Sequence, residues 1–357
     1  MDLLLSLPIA SYFFTTSLTS WSTSLNLLFF YMTWSTLVLS HSALKIELMG
    51  TAALRIVLWL VPSLVFLLFD TLLPSLAESI KYRGASALPP RDASSVARLL
   101  GLAAVNLALE AAVEAGASLG VAALLQIPAV FRTSSTLPLP WQIAKHVALL
   151  FAAREVLTYY IHRHVLHGQP LSLTKVGGGG GGRIATMHDR CAHAHATPFS
   201  LLLMADHPLP FLLHRFVPLY VPALVVSLGG LHILTYLLFV GLCTAEETLA
   251  MSGYTAVPGI IIGGIARRNA LHYARPGAGN FGCWGVLDWV HGTSLGKDVM
   301  ADLHDEAEKH NLKGRSARAA SDAGNMVTDG IDGLRRSARS SKGRRRSAKG
   351  NNSESDW

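Results

Sequence analysis

Charge is what this sequence has least of. Only 15% of its 357 residues are Asp, Glu, Lys or Arg, while half are apolar and the mean hydropathy is +0.37. Soluble domains average about 25% charged residues. One water-soluble core therefore does not account for the chain, and the composition indicates a lipid solvent. Cysteine is scarce too: Cys191, Cys243 and Cys283 are odd in number and lack CxxC spacing, so no disulfide framework is expected. No basic segment precedes the first apolar run and no small-residue cleavage site stands out, so a removable signal peptide is not expected.

The positive charge is concentrated at one end. Residues 313–357 hold eleven Lys and Arg against five Asp and Glu, which is +6 of the formal +7, so the rest is nearly neutral. Large apolar side chains are rare there, too few to offset the entropy of ordering the segment. A disordered basic tail is expected, suited to anionic lipid head groups. With no recognition module beside it, nucleic acid is not an expected partner.

A bilayer core needs roughly 20 apolar residues per helix. Runs of that kind cover residues 25–44, 54–76, 97–125 and 141–161, and 210–250 is long enough to cross twice with a turn at residues 227–230. The expected fold class is all-α, a polytopic transmembrane helical bundle with a cytoplasmic histidine-rich cap. Lys81, Arg83, Arg91 and Arg98 crowd one short link, which the positive-inside rule places in the cytoplasm. Propagated along the spans, that orientation puts the histidine-rich segments and the C-terminus on the same side. The expected division is 1–140 for the N-terminal membrane helices, 141–300 for a histidine-box domain and 301–357 for the basic tail. The hexaglycine run at 177–182 reads as a flexible spacer, because no GK[ST] follows it.

Eight of the fifteen histidines fall between His162 and His214, in YYIHRHVLHG, MHDRCAHAHATPF and ADHPLPFLLHRF. Imidazoles three to five residues apart at a membrane face can converge on iron, zinc or copper. An all-nitrogen site beside an apolar cavity suits iron and oxygen chemistry on a long apolar substrate. Together with ADHPL, EETLAMSGY and GNFGCWGVLDWVHGTSLG, these segments resemble the fatty acid hydroxylase and sterol desaturase superfamily over about residues 154–296, in a divergent fungal-type form.

The resemblance implies three histidine boxes holding two metal ions, usually iron. It also implies oxygen activation with electrons from NAD(P)H through cytochrome b5 or its reductase. The implied substrate is a sterol, fatty acyl or sphingolipid molecule in the endoplasmic reticulum membrane, to be hydroxylated or desaturated. Carried over by position, His162 and His167 form an intact first box, HX4H. Anchored on Thr197, Pro198 and Phe199, the second box keeps His188 and His193 but has Ala192 in the pair, with His195 two residues on. The third box, over residues 268–272, keeps only His272, beside Leu271. Met251 stands before Ser252, Gly253 and Tyr254, where such enzymes often place a histidine. The candidate metal ligands are thus His162, His167, His188, His193, His195, His207 and His272.

Two polar features qualify the hydrophobic pattern. Glu246 and Glu247 close the last apolar run, and a carboxylate at mid-membrane costs about 2.5–3.5 kcal/mol, so they are expected to meet Arg267 or Arg268 at a helix end. Asn106, Glu110 and Glu114 share one helical stripe, open to two readings: a polar pathway, or inward packing against Arg154 or Lys145. The leading expectation is a metal-dependent lipid oxidoreductase. Its main rival is a catalytically inactive member of the same fold, acting as a lipid-binding or scaffold protein. A small transporter, resting on the stripe alone, is a third class.

Overall fold

Runs of Leu, Ala and Val wind into helices because alanine and straight-chain residues lose little freedom there, and in lipid a helix satisfies its own backbone. The computed structural model describes residues 21–168, 182–255 and 260–309, with Gly314 and Ser321. Of the hexaglycine run only Gly182 falls among these, and apart from Gly314 and Ser321 the basic tail lies outside them. The main helices are α1 (Trp21–Ser40), α2 (Ala43–Leu72), α3 (Pro74–Ile80), α4 (Ala93–Leu125) and α5 (Pro140–Tyr160). They are followed by α6 (Arg183–Cys191), α7 (Pro208–Ser227), α8 (Ile233–Ala250), α9 (Ile260–Ala274), α10 (Val286–Val290) and α11 (Val299–Lys309). No strand occurs among the described residues, where only two isolated bridges pair Lys81 with Tyr254 and Arg132 with His232. The protein is all-α.

The ends follow local chemistry. Ser42 caps α2 by accepting from the Lys45 N–H, and Asp92 caps α4 by accepting from the Ser95 N–H at 2.8 Å. Helix α4 stops where Gln126 turns left-handed, at φ 54°. Residues 1–299 and Met300–Trp357 form two separate units, and α11 lies almost wholly in the second.

Four helices, α2, α4, α7 and α8, are long and apolar enough to cross a membrane, and residues 25–40 of α1 form a shorter apolar helix. Their boundaries depart from the expected spans. The first break falls at His41 and Ser42, and α2 begins at Ala43, which brings Glu47 inside it. Hydropathy starts the second span at residue 54 because it charges Glu47 its full transfer cost, whereas here that carboxylate is buried and accepts from Ser118 at 2.6 Å. Arg154 and Glu155 are likewise buried within α5, which is not among the four. The turn between α7 and α8 falls at residues 228–230, within the expected 227–230.

The bundle has polar residues inside and apolar residues outside. Leu39, Leu124, Phe29 and Trp141 are more than 70% exposed, while Asn106, Glu114, Arg55 and Arg154 are at most 3% exposed. That inversion stabilises a protein whose solvent is hydrocarbon. One core cluster joins Trp34, Phe131, Tyr220, Tyr236 and Phe239, with Phe131 stacked on Tyr236 at 4.3 Å. A second, of Trp59, Phe199, Phe211, Met251 and Tyr273, lies nearer the histidines. The Asn106 stripe packs inward on partners other than Arg154 and Lys145: Asn106 donates to the Met204 and Asp206 carbonyls, and Arg55 pairs with Glu110 at 2.8 Å. Glu114 accepts from Tyr236 at 2.9 Å and from Thr51 at 3.1 Å.

Candidate metal centre

The first histidine pair depends on a change of winding. Helix α5 gives way at Ile161 to a π turn through Leu166, in which the His167 N–H reaches the His162 carbonyl five residues back, at 3.1 Å. In an α-helix, residues five apart point about 140° away from each other. The wider π turn brings them to one side, so the two imidazole Nε2 atoms lie 3.2 Å apart. The second pair uses the opposite device: α6 tightens into a 3-10 turn over Ala192–Ala194, and the His188 and His193 rings lie 4.9 Å apart. Helix α9 supplies His272, whose Nε2 is 3.2 Å from that of His167.

Backbone carbonyls fix the tautomers. His162 Nδ1–H donates to the Phe281 carbonyl at 2.9 Å and His272 Nδ1–H to the Gly279 carbonyl at 2.8 Å, since a carbonyl can only accept. Each Nε2 is thereby left with a lone pair aimed inward. His188 Nδ1 bonds Asp206 at 2.8 Å, while its Nε2 is buried without a partner. Neither buried ring nitrogen of His193 has one. Burial first, and neighbouring imidazoles after it, hold His162, His167 and His193 well below the usual imidazole pKa. Burial likewise lowers His272 to about 4, against the raising effect of the Gly279 carbonyl. At neutral pH these rings are neutral, the form that binds metal.

Lone pairs crowded this closely repel unless a shared proton or a cation lies between them. The ligand nitrogens of His162, His167, His193 and His272 all lie within 4.8 Å of one another. Two imidazoles sharing an ion at about 2.1 Å would be separated by ~3.0 Å at right angles and ~3.4 Å at the tetrahedral angle. The two 3.2 Å separations, both centred on His167 Nε2, fall inside that interval. The His162, His167 and His272 nitrogens therefore fit a shared divalent transition-metal ion, with His193 beside them.

The loop beneath the cluster is held by one acid. Asp288, fully buried, accepts from the Phe281 N–H (2.9 Å), the Gly282 N–H (2.7 Å) and Thr293 Oγ1 (2.7 Å), which orients the carbonyl that His162 uses. Gly279 sits at φ 159°, where an added Cβ would come within 2.1 Å of the Thr293 carbonyl oxygen. Gly279→Ala is expected to destabilise the protein by about 3 kcal/mol or more through overpacking against backbone. Gly292→Ala, where nothing lies within 4 Å, should cost about 1 kcal/mol in left-handed strain. Thermal melting of both variants in detergent checks this; equal losses would contradict it.

Not every candidate joins the cluster. His195 packs edge-on against Phe199 at 5.4 Å. His207 caps α7, accepting from the Leu209 N–H at 3.4 Å. His214, outside the expected ligand set, is brought in by a π turn over Leu212–Phe216, and its ring lies 4.2 Å from that of His162. A further signal in ADHPL was the aspartate: Asp206 is the group that aims His188.

The imidazoles open onto a cavity with about 700 Å³ of empty volume, its open mouth included. Leu202, Leu203, Ala250, Ile265 and Tyr273 supply apolar wall. Ala192 and Met251 line it as well, so two of the positions where the resemblance implies histidine do face this space. Leu271 does not line it and lies instead against Gly296. Arg154, also lining the cavity, binds Glu246 at 3.1 Å and Glu247 at 2.8 Å, Arg215 binds Glu247 at 3.3 Å, and Trp284 Nε1 donates to Glu246 at 2.9 Å. The partners of these carboxylates thus come from α5, α7 and the loop before α10, where the sequence pointed to Arg267 or Arg268.

Compared with known families, residues 147–293 match the family described as fatty acid hydroxylase. That stretch takes in α5 from residue 147 on, the cluster and the loop held by Asp288. No solved structure matches the chain.

Proposed function

We propose, from the match of residues 147–293 to the fatty acid hydroxylase family, whose kind of function is membrane lipid hydroxylation or desaturation, that this protein is a metal-dependent lipid oxidoreductase that works with one ion per chain. The observation that carries the reading is the set of three Nε2 atoms joined by two 3.2 Å separations, with His162 and His272 holding their protons on the far nitrogen. His162, His167, His193 and His272 would hold the ion, and His188 and His214 flank it. A second ion would need further imidazoles where Ala192 and Met251 stand, and a methyl group and a thioether are poor ligands for iron. The gaps at 169–181 and 256–259 contain no His, Cys, Asp or Glu to fill the deficit.

Iron so bound supplies oxygen activation. The chain's own residues do the rest. The carbonyls of Phe281 and Gly279 keep protons off the ligating nitrogens, and Asp288 holds that loop in place. The Arg154, Glu246, Glu247 and Arg215 network is a rigid polar wall, while Leu202, Leu203 and Ile265 offer a dry surface to an acyl chain or sterol. We place the histidine face and the C-terminus in the cytoplasm, from the basic link at Lys81 to Arg98, and the protein in the endoplasmic reticulum, with cytochrome b5 or its reductase as electron donor.

The rival reading, an inactive lipid-binding member, draws on Ala192 and Met251. Lipid profiling separates the two. Cells whose only copy carries His162→Ala should accumulate an unoxidised lipid seen also in the deletion strain. If they keep the wild-type profile while the deletion strain does not, the protein acts without catalysis and the oxidoreductase reading fails.

A further inference from the structure

Away from the histidines, α2 and α4 leave a groove between them near the midpoints of both helices, with about 490 Å³ of empty volume including its open side. Its apolar walls are Ala52, Ile56, Leu107 and Ala111, and Ile56 is 49% exposed. Arg55 and Glu110 also line it. Arg55 Nη2 donates to Glu110 Oε1 and Nη1 to Thr244 Oγ1, each at 2.8 Å. This leaves one donor and one acceptor of the same ion pair, Arg55 Nε–H and Glu110 Oε2, buried and without a partner. Hydrocarbon offers neither atom anything.

A hydroxyl carries what each of these atoms lacks, an acceptor for the Nε–H and a donor for Oε2. A methylene chain satisfies neither. Depth selects the carrier: a bilayer core is about 30 Å thick, so phospholipid head groups lie roughly 15 Å from its centre, and a polar group near the middle of two spanning helices has to be borne by the chain itself. We propose that this groove binds a lipid whose hydrocarbon chain carries a hydroxyl group. The groove shares no residue with the histidine cavity, so the site stands or falls without the metal.

The test uses the full chain in nanodiscs of mixed phosphatidylcholines, one with hydroxystearoyl and one with stearoyl chains, with retained lipid read by native mass spectrometry. The hydroxylated lipid is expected to be retained with about tenfold preference, the scale of one satisfied buried hydrogen-bonding pair. Ala111→Leu fills the groove without touching the ion pair and should abolish the preference. Equal retention of the two lipids by the wild type would overturn the inference, as would an undiminished preference in Ala111→Leu.

Discussion

Purified from membranes, the protein is expected to carry one transition-metal ion per chain, and His167→Ala should lower its metal affinity by about 100-fold or more, since even outer-shell losses at such sites cost 10–100-fold. His167 is the pivot of the cluster, because its Nε2 is 3.2 Å from both His162 and His272. Removing it takes away a ligand and leaves the other two nitrogens without their common neighbour. His195→Ala is the control: that ring lies against Phe199, outside the cluster, and its loss should leave metal content unchanged. Elemental analysis against protein concentration decides the matter. Two ions per wild-type chain would refute the single-ion assignment, and full metal retention by His167→Ala would refute the site itself.

Arg55→Leu is expected to destabilise the protein by about 3–5 kcal/mol, because it strands Glu110 in the membrane interior. Arg55 and Glu110 are 3% and 7% exposed, and the guanidinium is the one partner the Glu110 carboxylate has among the described residues. Glu110→Leu alone should cost a similar amount. The double variant should recover much of it, since two apolar side chains in hydrocarbon leave no uncompensated charge. Unfolding in detergent, run as a double-mutant cycle, reads this directly. Additive losses would mean that the pair is not coupled as the structure has it.

The histidine density, the HX4H spacing and the anchors around Thr197 and Gly279 were enough to nominate His162, His167, His188, His193 and His272. They could not separate His195 and His207 from His214, because that choice depends on helix phase. Residue spacing predicts direction only if the winding is known, and the turns at Ile161–Leu166 and Leu212–Phe216 are π rather than α. Nor did sequence order hint that the Asp288 side chain would organise the carbonyl facing His162.

What the sequence determined by itself was the solvent and the class of chemistry. Both are properties of composition and of residues near one another in the chain: long apolar runs suit lipid around helices, and clustered imidazoles nominate a set of metal ligands. What only the tertiary structure decided was which charges lie inside the membrane bundle and which imidazoles face each other. Those outcomes depend on partners far apart in sequence, such as Arg55 with Glu110 and His167 with His272. A buried charge or an inward lone pair is tolerated only when its complement arrives from another helix, and hydropathy counted along one chain has no means of seeing that arrival.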